Sequence, residues 1–385
     1  MPPTEKGSKA AGKSRILVTC AKGITPFLKQ ELLALGFPVL SETVAGIATE
    51  GSFDDTLRLN LLLRTGHRVL FLVKEFTAHD ADRLYLQASE IAWEDYIGEG
   101  GYICVTSSVD NPSIRDSRYA NVRCKDAIVD RIRRKRGRRP DSGPDRDRTV
   151  VNLYWKADNC SLYFDTSGEP LSRRGYRRIP MTAPMQETLA AAVIIATGWN
   201  GANFINPMCG SGTLAIEAAM RALNMAPGLL RRNFGFMHIK GFKDSLWREL
   251  RNRALKEVRQ AVSCRIIATD IRREAVEAAR RNAAAAGVER NIEFAVCGYS
   301  DTAIPNGSGI VILNPEYGER MGKVRELEGV YKGIGDFFKQ KCGGYTGYIF
   351  TGNPALSKKV GLRAKRRVPF FNGAIECRLL EYELY

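Results

Sequence analysis

Histidine is scarce, with three in 385 residues. Nine cysteines are present (Cys20, Cys104, Cys124, Cys160, Cys209, Cys264, Cys297, Cys342 and Cys377), and no two are spaced as C-x-x-C. With so few nitrogen ligands and no clustered thiols, the sequence argues against a metal site and against a disulfide framework. Scattered thiols suit a reducing cytoplasm. No apolar run approaches the ~18 residues that a membrane helix needs. The first fourteen residues lack an apolar core, so they read as a disordered tail and not as a secretory signal. Acidic residues are also in deficit: 42 Asp+Glu against 58 Lys+Arg leaves +16. An excess of that size fits a polyanionic partner, because neutralising phosphates releases counterions. A solvated basic surface would fit it equally.

What is present points to a multidomain globular chain. Its length suits two or three domains, and 44% hydrophobic residues can fill proper cores. Residues 15–78 read as an α+β module: a strand at 15–20, a helix entered through Thr25 and Pro26 and stopped by Gly36, strands at 39–49, a helix at 54–64 and a strand at 68–76. Residues 79–168 hold a second module, with a helix near 84–91, a strand at 102–109, a long basic helix at 119–136, a Pro/Gly/Asp-rich loop at 137–148, and strands at 150–156 and 161–165. Residues 169–385 alternate apolar strands (203–205, 264–269, 291–296, 310–313, 347–350) with helical segments. That order predicts a parallel, doubly wound sheet. A helical insertion fills 224–262. Asn372-Gly373 is a hairpin signal and predicts a closing antiparallel pair.

Three constellations carry chemistry. The run Asn206-Pro207-Met208-Cys209-Gly210-Ser211-Gly212-Thr213 lies directly between a strand and a helix. Glycines there let the backbone approach a ligand, and the helix start offers free N–H groups to an anionic group. A tight turn is the plainer explanation of G-x-G alone, and no Lys follows, which disfavours a nucleoside-triphosphate loop. Asp270 closes the next strand, where a carboxylate can bond ribose hydroxyls or merely cap a helix. Asn314-Pro315-Glu316-Tyr317 follows a later strand. An Asn oxygen and a backbone carbonyl can accept both hydrogens of an exocyclic amino group, and Tyr317 can stack on a base.

These motifs resemble those of class I S-adenosylmethionine (SAM)-dependent methyltransferases acting on base amino groups. NPMCGSGT with LAIEAA, NPEYGER and FDTSGEPLSRRGYR together resemble the bacterial 23S rRNA guanine-N2 methyltransferases with a THUMP domain, often described as N6-adenine methylases. The likeness covers almost everything after residue 14. It implies a Rossmann-like, seven-stranded C-terminal domain preceded by ferredoxin-like and THUMP modules. It implies that Asn206, Cys209, Gly210, Ser211, Gly212 and Thr213 surround the methionine moiety of SAM and that Asp270 holds the ribose. Thr182, Ala183, Pro184 and Gln186 would close the pocket, and Asn314, Pro315 and Tyr317 would hold a flipped base. The chain departs from the family pattern at Asn206, where Asp is usual, and near Gly298, where the expected acid is missing and Asp301 is nearest. It departs again at Glu316, where a second Pro is usual. A carboxylate at 316 could accept from N1–H and N2–H of guanine.

RNA is the partner this implies. The basic run Arg131, Arg133, Arg134, Lys135, Arg136, Arg138 and Arg139 is the first candidate for phosphate contact, with Arg173, Arg174 and Arg177 the second. A solvated face is the alternative for both. Other activities compatible with the sequence are tRNA guanine-N2 methylation, N6-adenine methylation, and RNA binding by a degenerate catalytic domain. The target nucleotide and the oligomeric state are not encoded in any motif.

Overall fold

The computed structural model describes residues 12–179, 181, 185–317 and 321–385, the side chains at 321–324 excepted. Most of the expected tail, together with Thr182, Ala183 and Pro184, lies outside the described residues. Ser14 already belongs to the first strand. The chain forms two compact units. One comprises residues up to Cys20, Lys29–Leu171 and Arg231–Arg253; the other comprises Ala21–Leu28, Ser172–Leu230 and Ala254–Tyr385.

The first unit is built on an eight-stranded sheet. Its strands are β1 (Ser14–Thr19), β2 (Ser41–Thr43), β3 (Gly46–Gly51), β4 (Arg68–Thr77), β5 (Tyr102–Asp110), β6 (Asp141–Ser142), β7 (Thr149–Lys156) and β8 (Asn159–Asp165). They lie in the order β2-β3-β1-β4-β8-β7-β5-β6. The two sequence segments before residue 168 therefore share one sheet. The join is β4 against β8, antiparallel from Leu70↔Asp165 to Thr77↔Asn159. The helices here are α1 (Thr25–Ala34), whose residues up to Leu28 count with the second unit, α2 (Phe53–Leu62), α3 (Ala81–Ser89) and α4 (Ser117–Arg136). Local chemistry sets their ends. Ser52 and Asp55 form a capping box on α2, each side chain accepting the other's backbone N–H. Asp80 caps α3, and Gly137 in a left-handed conformation ends α4.

Part of the expected insertion belongs to this unit. It contains α7 (Asp244–Lys256), numbered here in chain order after α5 (Glu187–Ala196) and α6 (Thr213–Ala222). Phe236 N–H donates to Thr166 O at 2.9 Å, and Thr149 Oγ1 donates to His238 O at 3.0 Å. Phe234, Phe236 and Trp247 form an aromatic cluster with centroids 5.0–5.3 Å apart. The buried Arg231 guanidinium donates to the carbonyls of Ser167, Glu169 and Pro170.

The second unit carries a seven-stranded sheet. It consists of β9 (Asn203–Pro207), β10 (Ile266–Asp270), β11 (Glu293–Val296), β12 (Gly309–Leu313), β13 (Tyr345–Thr351), β14 (Arg366–Asn372) and β15 (Ile375–Glu383). The order is β11-β10-β9-β12-β13-β15-β14. The first five strands run parallel and β15 is antiparallel to both its neighbours, so the expected closing hairpin is present. The remaining helices are α8 (Arg273–Ala286), α9 (Met321–Lys341) and α10 (Pro354–Ser357). α5 and α6 are mostly apolar, and nearly every residue in them is buried, Glu187 and Glu217 included. On α9, Tyr331, Ile334, Phe337 and Phe338 pack over Ile205, Val311, Leu313 and Ile349 of the sheet. Truncating a fully buried Phe such as Phe338 to Ala costs about 3–5 kcal/mol.

Strand order reverses between β9 and β12. In open parallel sheets, ligands bind outside the C-terminal strand ends at that reversal, where the two loops diverge and leave a crevice. Asn206 and Pro207 end β9 and the glycine loop follows from Met208, while Asn314 follows β12. The topology thus brings the two strongest sequence motifs to the same sheet edge.

Candidate active site

The loop after β9 is held by its own backbone and by one carboxylate. Met208 takes a left-handed φ of 55°, a strained conformation for a non-glycine residue. Cys209 N–H donates to Thr269 O at 2.9 Å. Gly210 N–H donates to Asp270 Oδ2 at 3.0 Å, while Asp270 Oδ1 accepts Arg272 N–H at 3.0 Å. Asp270 is buried at the end of β10. Gly212 has φ +82°, and a Cβ there would stand 2.8 Å from Cβ of Ala279 on α8. Glycine therefore allows both the turn and the close approach. α6 begins at Thr213, and its amino end lies at the loop. Burial pushes the Cys209 thiol well above its ordinary range, so it stays protonated.

Two residues outside the motif fix this loop. Arg177 donates to Glu187 Oε1 (3.1 Å), Ser211 Oγ (3.1 Å), Met185 O (2.8 Å) and Thr213 Oγ1 (3.1 Å). Asn282 of α8, fully buried, accepts the N–H groups of Arg178 and Ile179 and donates to Ser211 O at 3.1 Å. Burial raises the pKa of Glu187, and the adjacent Arg177 acts against that rise. Sequence reasoning did not find Glu187 or Asn282. A Glu opening the apolar helix ETLAAAVIIA signals a buried cation partner, because an unpaired charge there would be costly.

Asn206 bridges the two motifs. Its Nδ2 donates to Ile312 O on β12 at 2.9 Å, and its Oδ1 is buried without a hydrogen-bond partner. Asn314 Oδ1 is likewise buried without a partner. Two buried acceptors at one sheet edge are open to a donor from a ligand or from water. Pro315 is buried, Glu316 is exposed and Tyr317 is half-buried. Asp301 is exposed on a turn after β11, and Gln186 is exposed just before α5. Thr182 and Pro184 lie outside the described residues.

The candidate RNA contacts divide. Arg133, Arg134, Lys135, Arg138 and Arg139 are exposed along and beyond the end of α4. Arg131 is different: it forms a two-pronged ion pair with Glu94, both side chains largely covered, and Arg136 bonds the Glu94 carbonyl. In the second group Arg173 is exposed. Arg174 is not available to RNA. It is 1% exposed and paired with Glu217 of α6, which also accepts the Tyr176 hydroxyl. Arg177 is committed to the loop. Of the expected phosphate contacts, Arg174 is buried, Arg131, Arg136 and Arg177 are half-buried, and all four are engaged by internal partners.

Comparison with known proteins agrees with this architecture. Residues 174–381 match the RMKL-like methyltransferase domain, 15–70 the RlmL ferredoxin-like domain and 78–165 the THUMP domain. The Ribosomal RNA large subunit methyltransferase K/L of Syntrophotalea carbinolica is 38% identical over 96% of this chain and 53% of that protein. The chain thus spans about half the length of that relative. A Synechocystis protein provisionally named RNA methyltransferase slr0064 is 34% identical over 95% of this chain and 96% of its own. Among solved structures, the methyltransferase SMU.472 with bound S-adenosylhomocysteine (SAH) superposes with a TM-score of 0.87 at 27% identity, covering 97% of this chain and 98% of that one. No helix among the described residues is long and apolar enough to cross a membrane. By strand order, by the loops at its reversal and by these matches, the chain belongs to the RMKL-like methyltransferase family.

Proposed function

We propose that this protein is a SAM-dependent RNA methyltransferase that methylates the exocyclic N2 amino group of a guanine in 23S ribosomal RNA. The observation that carries the reading is the unpartnered, buried Asn314 Oδ1 beside the β9–β12 reversal. A family relative named for ribosomal RNA and a THUMP match support RNA as the substrate.

The residues present fit the cofactor. Asn206 offers an open acceptor, Asp270 a buried carboxylate, and the Gly210–Thr213 turn leads into the positive amino end of α6. Asn206, Cys209, Gly210, Ser211, Gly212, Thr213 and Asp270 would hold it. When bound, SAM supplies an electrophilic sulfonium methyl.

The chain's own task is then positioning. A guanine N2 is a weak nucleophile because its lone pair is delocalised into the ring. Asn314 Oδ1 and the Pro315 carbonyl accept its two N–H bonds, which localises the lone pair and turns it toward the methyl. In the transfer the N2–CH3 bond would form as the sulfonium S–CH3 bond breaks to leave a neutral thioether, and the amino proton would then pass to water. Tyr317 stacks on the base. The exposed Arg133, Arg134, Lys135, Arg138, Arg139 and Arg173 contact phosphates. No step requires a metal, and a reducing cytoplasm suits the nine free thiols.

The test is Asn314→Ala assayed on unmodified 23S RNA with SAH binding measured in parallel. SAH affinity stays within about twofold and single-turnover methyl transfer falls at least about a hundredfold, in the range of losing one preorganised polar contact to the reacting group. Unchanged methyl transfer would overturn the role. Retained transfer to adenine-only sites would favour N6 methylation.

A further inference from the structure

Tyr317 is gripped by two separate parts of the second unit. Its hydroxyl accepts Nδ2–H of Asn372, the last residue of β14, at 3.0 Å. Its carbonyl accepts Nδ2–H of Asn353 at 3.0 Å. Asn353 is itself fixed, since its Oδ1 caps α10 by accepting the N–H groups of Ala355 and Leu356. The ring lies over Gly352, where a Cβ would stand 3.2 Å from the ring Cδ2 and 2.9 Å from Ile375 Cγ2. A side chain at 352 would push the ring out of place.

A free tyrosine samples several rotamers and loses that freedom when it stacks. A ring already tied at its hydroxyl and at its backbone has lost it in advance. The closing hairpin also supplies the tie at a fixed register, because Asn372 pairs with Ile375 across the Gly373 turn.

We infer that Asn372 and Asn353 are positioning residues that hold the Tyr317 ring as a preset platform for the target base. This rests on the reading above that Tyr317 stacks on that base.

The test is a double-mutant cycle between Asn372→Ala and Tyr317→Phe, in the full chain, with unmodified 23S RNA as substrate. Each single change lowers kcat/KM for methyl transfer about three- to tenfold, the size of one hydrogen bond. SAH affinity stays at the wild-type value, and the unfolding midpoint falls by no more than the loss of one hydrogen bond allows. The double variant is no slower than the slower single one, because both remove the same bond. Effects that multiply, or an unchanged Asn372→Ala, overturn the tether. Tyr317→Ala separates the two ideas: if it transfers methyl at the wild-type rate, the stacking reading itself fails. A second readout is independent of activity. In protein labelled with 3-fluorotyrosine, the Tyr317 fluorine signal shifts in Asn372→Ala if the bond exists and stays in place if it does not.

Discussion

The Arg177 guanidinium lies 3.1 Å from Thr213 Oγ1 and 3.1 Å from Glu187 Oε1, so one side chain joins the first residue of α6 to the first residue of α5. Arg177→Lys keeps the charge beside Glu187 but cannot span four acceptors. Its unfolding midpoint should stay near wild type while SAH affinity drops about tenfold by calorimetry. Arg177→Met should instead lose about 3 kcal/mol or more of stability, because it strands a buried carboxylate.

Asp270 accepts two backbone N–H groups, one from the Gly210 loop. Asp270→Asn replaces one acceptor by a donor that faces an N–H. The loop should loosen and SAH affinity should fall by at least about tenfold, with a cost of about 1–3 kcal/mol for the unmet group. An affinity equal to wild type would show that the carboxylate is dispensable.

Gly212→Ala asks for a left-handed residue with a Cβ 2.8 Å from Ala279. The backbone strain and the clash together should destabilise the protein by about 2 kcal/mol or more in urea titration. Adding Ala279→Gly should recover part of the loss by relieving the clash but not the strain.

The basic run separates into contact and scaffold. Replacing Arg133, Arg134, Lys135, Arg138 and Arg139 by Ser should flatten the salt dependence of binding to unmodified 23S RNA, by about 0.7–0.9 in log-log slope per lost phosphate contact. Arg131→Ser should leave that slope alone and lower stability, since Arg131 pairs with Glu94. The reverse outcome would return Arg131 to the RNA interface.

His67 is held neutral to about pH 4 by burial, helped by the charges of Arg68 and Arg146. Its folded pKa lies below the ordinary 6.5, so between those values the unfolded chain binds the extra proton. The stabilising contribution is complete above about pH 6.5 and is lost as pH falls toward 4. His67→Gln should show a shallower loss of urea midpoint over that window than wild type.

Much of this was legible in the sequence. Strand-then-glycine and strand-then-Asn-Pro patterns are local, and they marked two loops that the topology brings to one sheet edge. The merging of the first two modules into one sheet was not legible, because nothing in β4 names β8 as its neighbour. Arginine roles were misread for a related reason. Composition sees Arg174 and Arg177 as surface charge, whereas pairing with Glu217 and Glu187 depends on helices brought in from later in the chain. The usable hint was the acid itself: a Glu within LAIEAAM can be buried only beside a cation. Glu316 gave no such hint, and its side chain is exposed.

The stretch Arg231–Arg253 completes the first unit although it is encoded within the second. On the ribosome, the chain up to Leu171 emerges without the Phe234–Phe236–Trp247 cluster or the Arg231 guanidinium that ties down the carbonyls of Ser167, Glu169 and Pro170. The first unit therefore cannot reach its final state until about two-thirds of the protein has been synthesised, by which time β9 and the glycine loop have already been made. The first unit can thus close only after part of the second has been made, yet before β10–β15 exist.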